Sequence, residues 1–167
     1  MKGATEAARP SRPAVRLTAQ DMAQVRMIAA TLREGPRPKP LVLGGRGAAM
    51  AVDAIASELR LDLVKIDLSA VISKFIGETE KNLARIFDEI EASGAMLLFD
   101  EADALFDRRT DVNDAHDRYS NAEINSFLRG LERRHGLVFL VGKITTVLPL
   151  KWRRQFSLRR FPPADFR

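Results

Sequence analysis

The chain has 167 residues, 46% of them apolar, and carries 27 lysines and arginines against 22 acids for a net charge of +5. That length and apolar content support one domain with a substantial core rather than two, and the small positive excess favours solubility without naming a polyanionic partner. Cysteine is absent, which excludes disulfides, thiolate metal sites and cysteine nucleophiles; no apolar run reaches the roughly 18 residues of a membrane helix, so a cytoplasmic protein is expected.

Residues 1–16, rich in Ala, Arg and Pro, read as a disordered basic tail. Thr18-Ala-Gln-Asp21 is suited to cap a helix, and Met22, Val25, Ala29 and Leu32 follow at helical spacing until Gly35, which predicts a leading amphipathic helix over 17–35. Residues 36–40 form a proline-rich linker that delivers the chain into a short strand, Leu41-Val-Leu43. Gly44-Gly-Arg-Gly47 is a glycine turn, and the segment after it places Val52, Ile55 and Leu59 on one helical face. A second strand is expected over Leu61–Leu68, and a helix from about Thr79 aligns Leu83, Ile86, Phe87 and Ile90.

Ala95-Met-Leu-Leu-Phe-Asp-Glu-Ala-Asp103 follows Gly94 as a continuous apolar strand ending in carboxylates. A polar segment from Asp107 to Arg118 then leads to a helix with Ile124, Phe127, Leu128 and Leu131 aligned, and Gly136 precedes a fourth strand, Leu137-Val-Phe-Leu-Val141. A short helix near Pro149–Phe156 and an edge strand over Ser157–Phe161 complete the order. Alternation of strands and helices predicts an α/β domain with a mostly parallel five-stranded sheet covered on both faces.

Chemistry concentrates at two places. A strand buried on both faces that ends in Asp100 and Glu101 presents a Mg²⁺-organising acid and a water-polarising base where open parallel sheets bind ligands. The same Asp-Glu-Ala-Asp would also serve simply to begin a helix. The glycine turn after the first strand suits phosphate, because backbone N–H groups and a helix N-terminus can surround it. A complete phosphate loop adds a Lys for the β and γ phosphates and a Ser or Thr for Mg²⁺. Here Gly47-Ala48-Ala49 stands in the place of Gly-Lys-[Ser/Thr], and Val42 stands where the first glycine belongs. Gly44, Gly45, Arg46, Gly47, Ala48 and Ala49 are therefore the candidate phosphate contacts, without the cation and the hydroxyl. His116 and His135 lack paired ligand spacing and read as surface or locally bonded histidines.

From about Leu41 to Pro163 the sequence resembles the AAA family of ATPases, with Met96–Asp103 similar to its Walker B strand and Asp67–Leu83 similar to its second-strand loop and following helix. Asp117–Asn125 resembles bacterial members. The resemblance implies a three-layer αβα, P-loop NTPase-like domain over 41–167, with ATP and Mg²⁺ as cofactors. It also implies a ring, commonly a hexamer, of this or other AAA subunits that pulls polypeptide through a central pore. Lys74-Phe-Ile-Gly77 falls on the first pore loop, where Phe75 and Ile76 would grip substrate. Lys143 stands where the family's sensor strand places an Asn, and Arg153 and Arg154 fall where arginine fingers reach a neighbouring subunit. The family's C-terminal helical lid is not expected in these residues.

The resemblance and the altered loop together predict a structural or regulatory subunit with ATP hydrolysis weak or lost. Two other readings remain open: a competent ATPase in which Lys143 or Arg46 replaces the missing lysine, and a nucleic-acid-binding module built on Arg153, Arg154, Arg159 and Arg160. No binding-fold motif accompanies that basic segment, which argues against nucleic acid.

Overall fold

The apolar runs form strands because they are covered on both sides, and in a computed structural model of the protein their successive residues alternate between two separate cores. The structure describes residues 16–36, 39–45, 47–70, 79–105, 126–134, 136–142, 154 and 156–160. In chain order these give α1 (Ala19–Glu34), β1 (Leu41–Gly44), α2 (Ala48–Leu59), β2 (Leu63–Asp67), α3 (Thr79–Ser93) and β3 (Met96–Asp100). A 3-10 turn (Ala102–Leu105) follows, then α4 (126–133), β4 (Val138–Val141) and β5 (Ser157–Arg160). The proposed short helix near 149–156 falls mostly outside the described residues, as do the segment 107–118, His116 and His135.

The sheet has five strands in the order β2-β3-β4-β1-β5, and every pairing is parallel. On one face Leu41, Leu43, Met96, Leu98, Phe139 and Val141 pack with Ala48, Ala51, Val52, Ile55 and Ala56 of α2 and with Val25 and Ala29 of α1. On the other face Val42, Leu97, Phe99, Val138 and Leu140 pack with Phe87 and Ile90 of α3 and with Phe127, Leu128 and Leu131 of α4. This is the three-layer αβα arrangement, and β1, β3 and β4, shielded on both faces, show the unbroken apolar pattern that such burial requires.

Local chemistry sets the ends of the elements. α1 begins with a capping box in which the Asp21 N–H donates to the Thr18 hydroxyl at 3.2 Å and the Thr18 N–H donates to the Asp21 carboxylate at 2.7 Å. α2 ends on Arg60 in the left-handed region at φ 56°, and the Leu61 N–H reaches back to the Ala56 carbonyl at 3.0 Å. That bond ties Leu61 to the helix, so β2 starts at Leu63 and not at Leu61. β2 stops at Asp67 because residues 68–70 turn helical.

α1 is held to α2 by its buried stripe and by Arg33, whose guanidinium donates to the Glu58 carbonyl at 2.8 Å near the end of α2. On the opposite face, Phe99 meets Phe127 and Phe87 edge-on at ring-centroid distances of 5.0 and 5.8 Å. Gly130 faces this cluster, and a Cβ there would lie 2.8 Å from the Phe87 ring. Arg134, buried after α4, donates to the Phe87 carbonyl at 2.9 Å and to the Ala95 carbonyl at 3.4 Å, so one guanidinium joins α3 to the entrance of β3. Burial pulls its pKa below the ordinary arginine value, with the charge of Glu91 opposing that shift.

The aromatic cluster makes a stability test direct. Phe99→Ala should cost about 3–5 kcal/mol in urea unfolding, whereas Met27→Gln on the exposed side of α1 should stay within about 0.5 kcal/mol of wild type.

Candidate nucleotide site

Because all five strands run the same way, their carboxyl ends lie on one edge of the sheet, and of the described candidate residues Gly44, Gly45, Asp100 and Glu101 lie at that edge. Register places them relative to β4: Val42 pairs with Leu140 on one side, and Phe99 pairs with Leu140 on the other. The exits of β1 and β3 therefore flank the exit of β4 at two strand spacings, about 9–10 Å apart. The glycine turn and the Asp100–Glu101 pair thus face each other across Gly142.

On the β1 side, Gly45 takes φ 119°, a conformation open to glycine and strained for other residues, and its carbonyl accepts the Ala48 N–H at 3.2 Å. Gly47 caps α2 without a side-chain hydrogen bond, and the Ala51 N–H returns to its carbonyl at 2.9 Å. Ala48 is fully buried against the β1 and β4 side of the core, Ala49 is half-buried and Met50 is exposed, so the first turn of α2 offers main chain and apolar side chains without a charge or hydroxyl. Arg46 lies outside the described residues.

On the β3 side, Asp100 is half-buried and its carboxylate accepts the N–H of Glu101 at 2.9 Å. Glu101 is exposed and sits at φ 52°, a left-handed conformation that costs a non-glycine residue about 1 kcal/mol. This turn, followed by the Ala104 N–H bond to the Glu101 carbonyl at 3.0 Å, ends the strand at Asp100 and swings Glu101 out of the sheet. Asp67, paired in register with Asp100, closes the neighbouring strand end. Its carboxylate accepts from the Ser69 hydroxyl at 2.6 Å and the Ala70 N–H at 3.2 Å, and these bonds lower its pKa. The stability they lend is present above the ordinary carboxylate range and is lost as pH falls through the lowered pKa.

The described residues hold no group of three or more His, Asp or Glu side chains able to cage a metal ion. A Mg²⁺ carried by phosphates needs only one or two carboxylates from the protein, and Asp100 fits that requirement. The structure corrects the expected loop register: Val42 is buried in the middle of β1 and paired on both sides, so the first glycine of a strand–loop–helix phosphate site is Gly44. Counting from it, Met50 and Ala51, not Ala48 and Ala49, stand at the places of the lysine and the hydroxyl. Arg154 is exposed, and its carbonyl accepts Lys39 Nζ at 2.8 Å. Lys143, Arg153 and the expected pore-loop residues Lys74, Phe75, Ile76 and Gly77 lie outside the described residues.

Sequence reasoning gave no site role to Asp103 or Gly142. Asp103 is buried in the 3-10 turn, and a Cβ at Gly142, where φ is 156°, would run into its Oδ1. The only sequence sign was a third carboxylate beside Asp100 and Glu101 and a glycine directly after an apolar strand. The strained turn yields a test: Glu101→Gly should raise unfolding stability by about 1 kcal/mol in urea titration, since glycine takes the left-handed conformation without strain.

Comparison with known proteins agrees with this geometry. The family model described as "ATPase family associated with various cellular activities (AAA)" matches residues 41–161. The chain is 40% identical over 76 residues to the ATPase family gene 2 protein of Schizosaccharomyces pombe, covering 44% of this chain and 9% of that protein. It is 32% identical over 100 residues to the ribosome biogenesis ATPase RIX7 of Saccharomyces cerevisiae, covering 59% and 12%. A cell division cycle protein 48 homolog of Archaeoglobus fulgidus is 28% identical over 97 residues, covering 58% and 13%. The matched segment thus spans about a tenth of the length of these relatives. With the parallel five-stranded sheet, the carboxylates ending β3 and a family match over most of its length, the chain belongs to the AAA family of ATPases.

Proposed function

We propose that this chain is a reduced AAA ATPase domain that joins other AAA subunits in a cytoplasmic ring, commonly of six, and contributes little ATP hydrolysis of its own. The observation that carries the reading is the contrast across β4. Asp100 and Glu101 stand at the end of β3, while the first turn of α2 offers Met50 and Ala51 in place of a lysine and a hydroxyl. ATP with Mg²⁺, when bound, supplies the phosphoanhydride bond and the cation that organises it. The protein's part would be the main chain of Gly44, Gly45 and Gly47 toward phosphate, Asp100 toward the metal and Glu101 toward water. Without the lysine, charge developing on the γ-phosphate lacks its nearest compensation, and the loss falls on the transition state more than on the fold.

In this reading the ring-facing roles survive the weakened pocket. Arg153 and Arg154 would reach a neighbouring subunit's nucleotide, and Lys74, Phe75, Ile76 and Gly77 would contact a polypeptide substrate. Both assignments rest on the family pattern.

Titration with ATP and ADP, with and without Mg²⁺, tests the reading. Wild type should bind more weakly than micromolar, and the double substitution Met50→Lys, Ala51→Thr should tighten Mg²⁺–ATP binding about 100-fold, equivalent to about 2.7 kcal/mol. Micromolar binding by wild type, with phosphate release abolished by Glu101→Gln, would instead establish a competent ATPase whose missing cation is replaced, with Arg46 and Lys143 the first residues to neutralise.

A further inference from the structure

The turn that carries Glu101 is secured by a residue that no expected catalytic role uses. Asp103 is 8% exposed although Glu101, two residues earlier, is open to solvent. A carboxylate is kept buried only where its surroundings compensate it, and this one is pressed against the main chain leaving β4. At Gly142 a Cβ would run into Asp103 Oδ1, and it would also lie 3.2 Å from both the Ala102 and the Asp103 amide nitrogens. The exit of β4 therefore passes directly beneath the 3-10 turn, and the fit exists only because residue 142 has no side chain.

The same turn fixes both main-chain groups of Glu101. Its N–H donates to the Asp100 carboxylate at 2.9 Å, and its carbonyl accepts the Ala104 N–H at 3.0 Å. With both bonds made, the left-handed φ of 52° at Glu101 depends on where residues 102–105 are seated. Strained conformations of this kind persist when the surrounding structure over-determines them. The seat of residues 102–105 is Ala102, fully buried, and Asp103, lodged on Gly142.

We infer that Asp103 is a positioning residue which, lodged against Gly142, latches the turn after β3 to the exit of β4 and so holds Glu101 in its left-handed conformation. Its consequence for phosphate chemistry rests on the nucleotide reading proposed above; the latch itself does not. The latch makes the end of β3 and the end of β4 one mechanical unit, so a displacement of the β4 exit moves the Glu101 carboxylate.

The test uses the full chain, isotope-labelled and without nucleotide, so that it stands apart from any ATPase activity. The readout is the backbone conformation of Glu101 from its Cα and Cβ chemical shifts and its HN–Hα coupling. Asp103→Ala and Gly142→Ala should each move Glu101 out of the left-handed region and speed amide exchange over residues 101–104 by about tenfold or more. Asp103→Asn, which keeps the shape, should largely retain the wild-type signature. Val138→Ala, a core truncation in β4, should lower thermal stability and leave the Glu101 signature in place. Should Asp103→Ala or Gly142→Ala fail to fold, Asp103→Ser provides the same comparison with a smaller packing change. A folded Asp103→Ala or Asp103→Ser whose Glu101 signature matches wild type would overturn the latch, as would a shift of equal size in Val138→Ala. In the nucleotide-binding background of Met50→Lys, Ala51→Thr, Asp103→Ala should lower kcat for phosphate release with KM changed less than about twofold. Failure of that background to bind Mg²⁺–ATP counts against the nucleotide reading alone, because the nucleotide-free comparison still decides the latch.

Discussion

A parallel strand covered by helices on both faces can bring polar side chains to water only at its ends, and the chemistry of this protein follows from that constraint. β1 and β4 are apolar throughout, and β3 up to its last residue, because Met96, Leu98 and Phe139 face one core while Leu97, Phe99 and Leu140 face the other. Asp67, Asp100 and Glu101 appear where the strands stop. Parallel pairing then puts these stops on one edge, and β4 sets the spacing between the β1 turn and the β3 carboxylates. The candidate site is thus a product of sheet order before it is a product of any single side chain.

The same constraint explains how the fold and the phosphate chemistry can part company. Ala48 contributes a methyl group to the core of α2, and small residues there pack as well as the helix requires. A phosphate loop stripped of its lysine and hydroxyl leaves the buried faces of the strands untouched, and those faces carry most of the folding free energy. The Asp100 carboxylate at the end of β3 is likewise held by the local turn, accepting the Glu101 N–H. Persistence of Asp100 and Glu101 marks the family without certifying turnover.

Much of the architecture was legible in the sequence. Leu41–Leu43, Met96–Phe99 and Val138–Val141 announce strands buried on both faces, and Thr18 with Asp21 announces the start of α1 through its capping box. Element ends were less legible, because they depend on single hydrogen bonds: Leu61 looked like strand but is claimed by the Ala56 carbonyl, and Glu101 looked like the last strand residue but turns away at positive φ. The acids of the site could be read from their place after an apolar run. The contact of Asp103 with Gly142 and the reach of Arg134 to Phe87 and Ala95 could not, since each joins segments distant in sequence whose neighbours are decided by sheet order.

Helix α1 lies ahead of the family-matched span, yet Val25 and Ala29 fill the outer side of α2. Val52, Ile55 and Ala56 owe part of their shelter to it, and Arg33 closes the carbonyl of Glu58. A recombinant fragment cut at the family boundary at Leu41 would therefore uncover an apolar stripe along α2 and invite self-association. The practical boundary of the folding unit lies upstream of Thr18, where the cap of α1 begins.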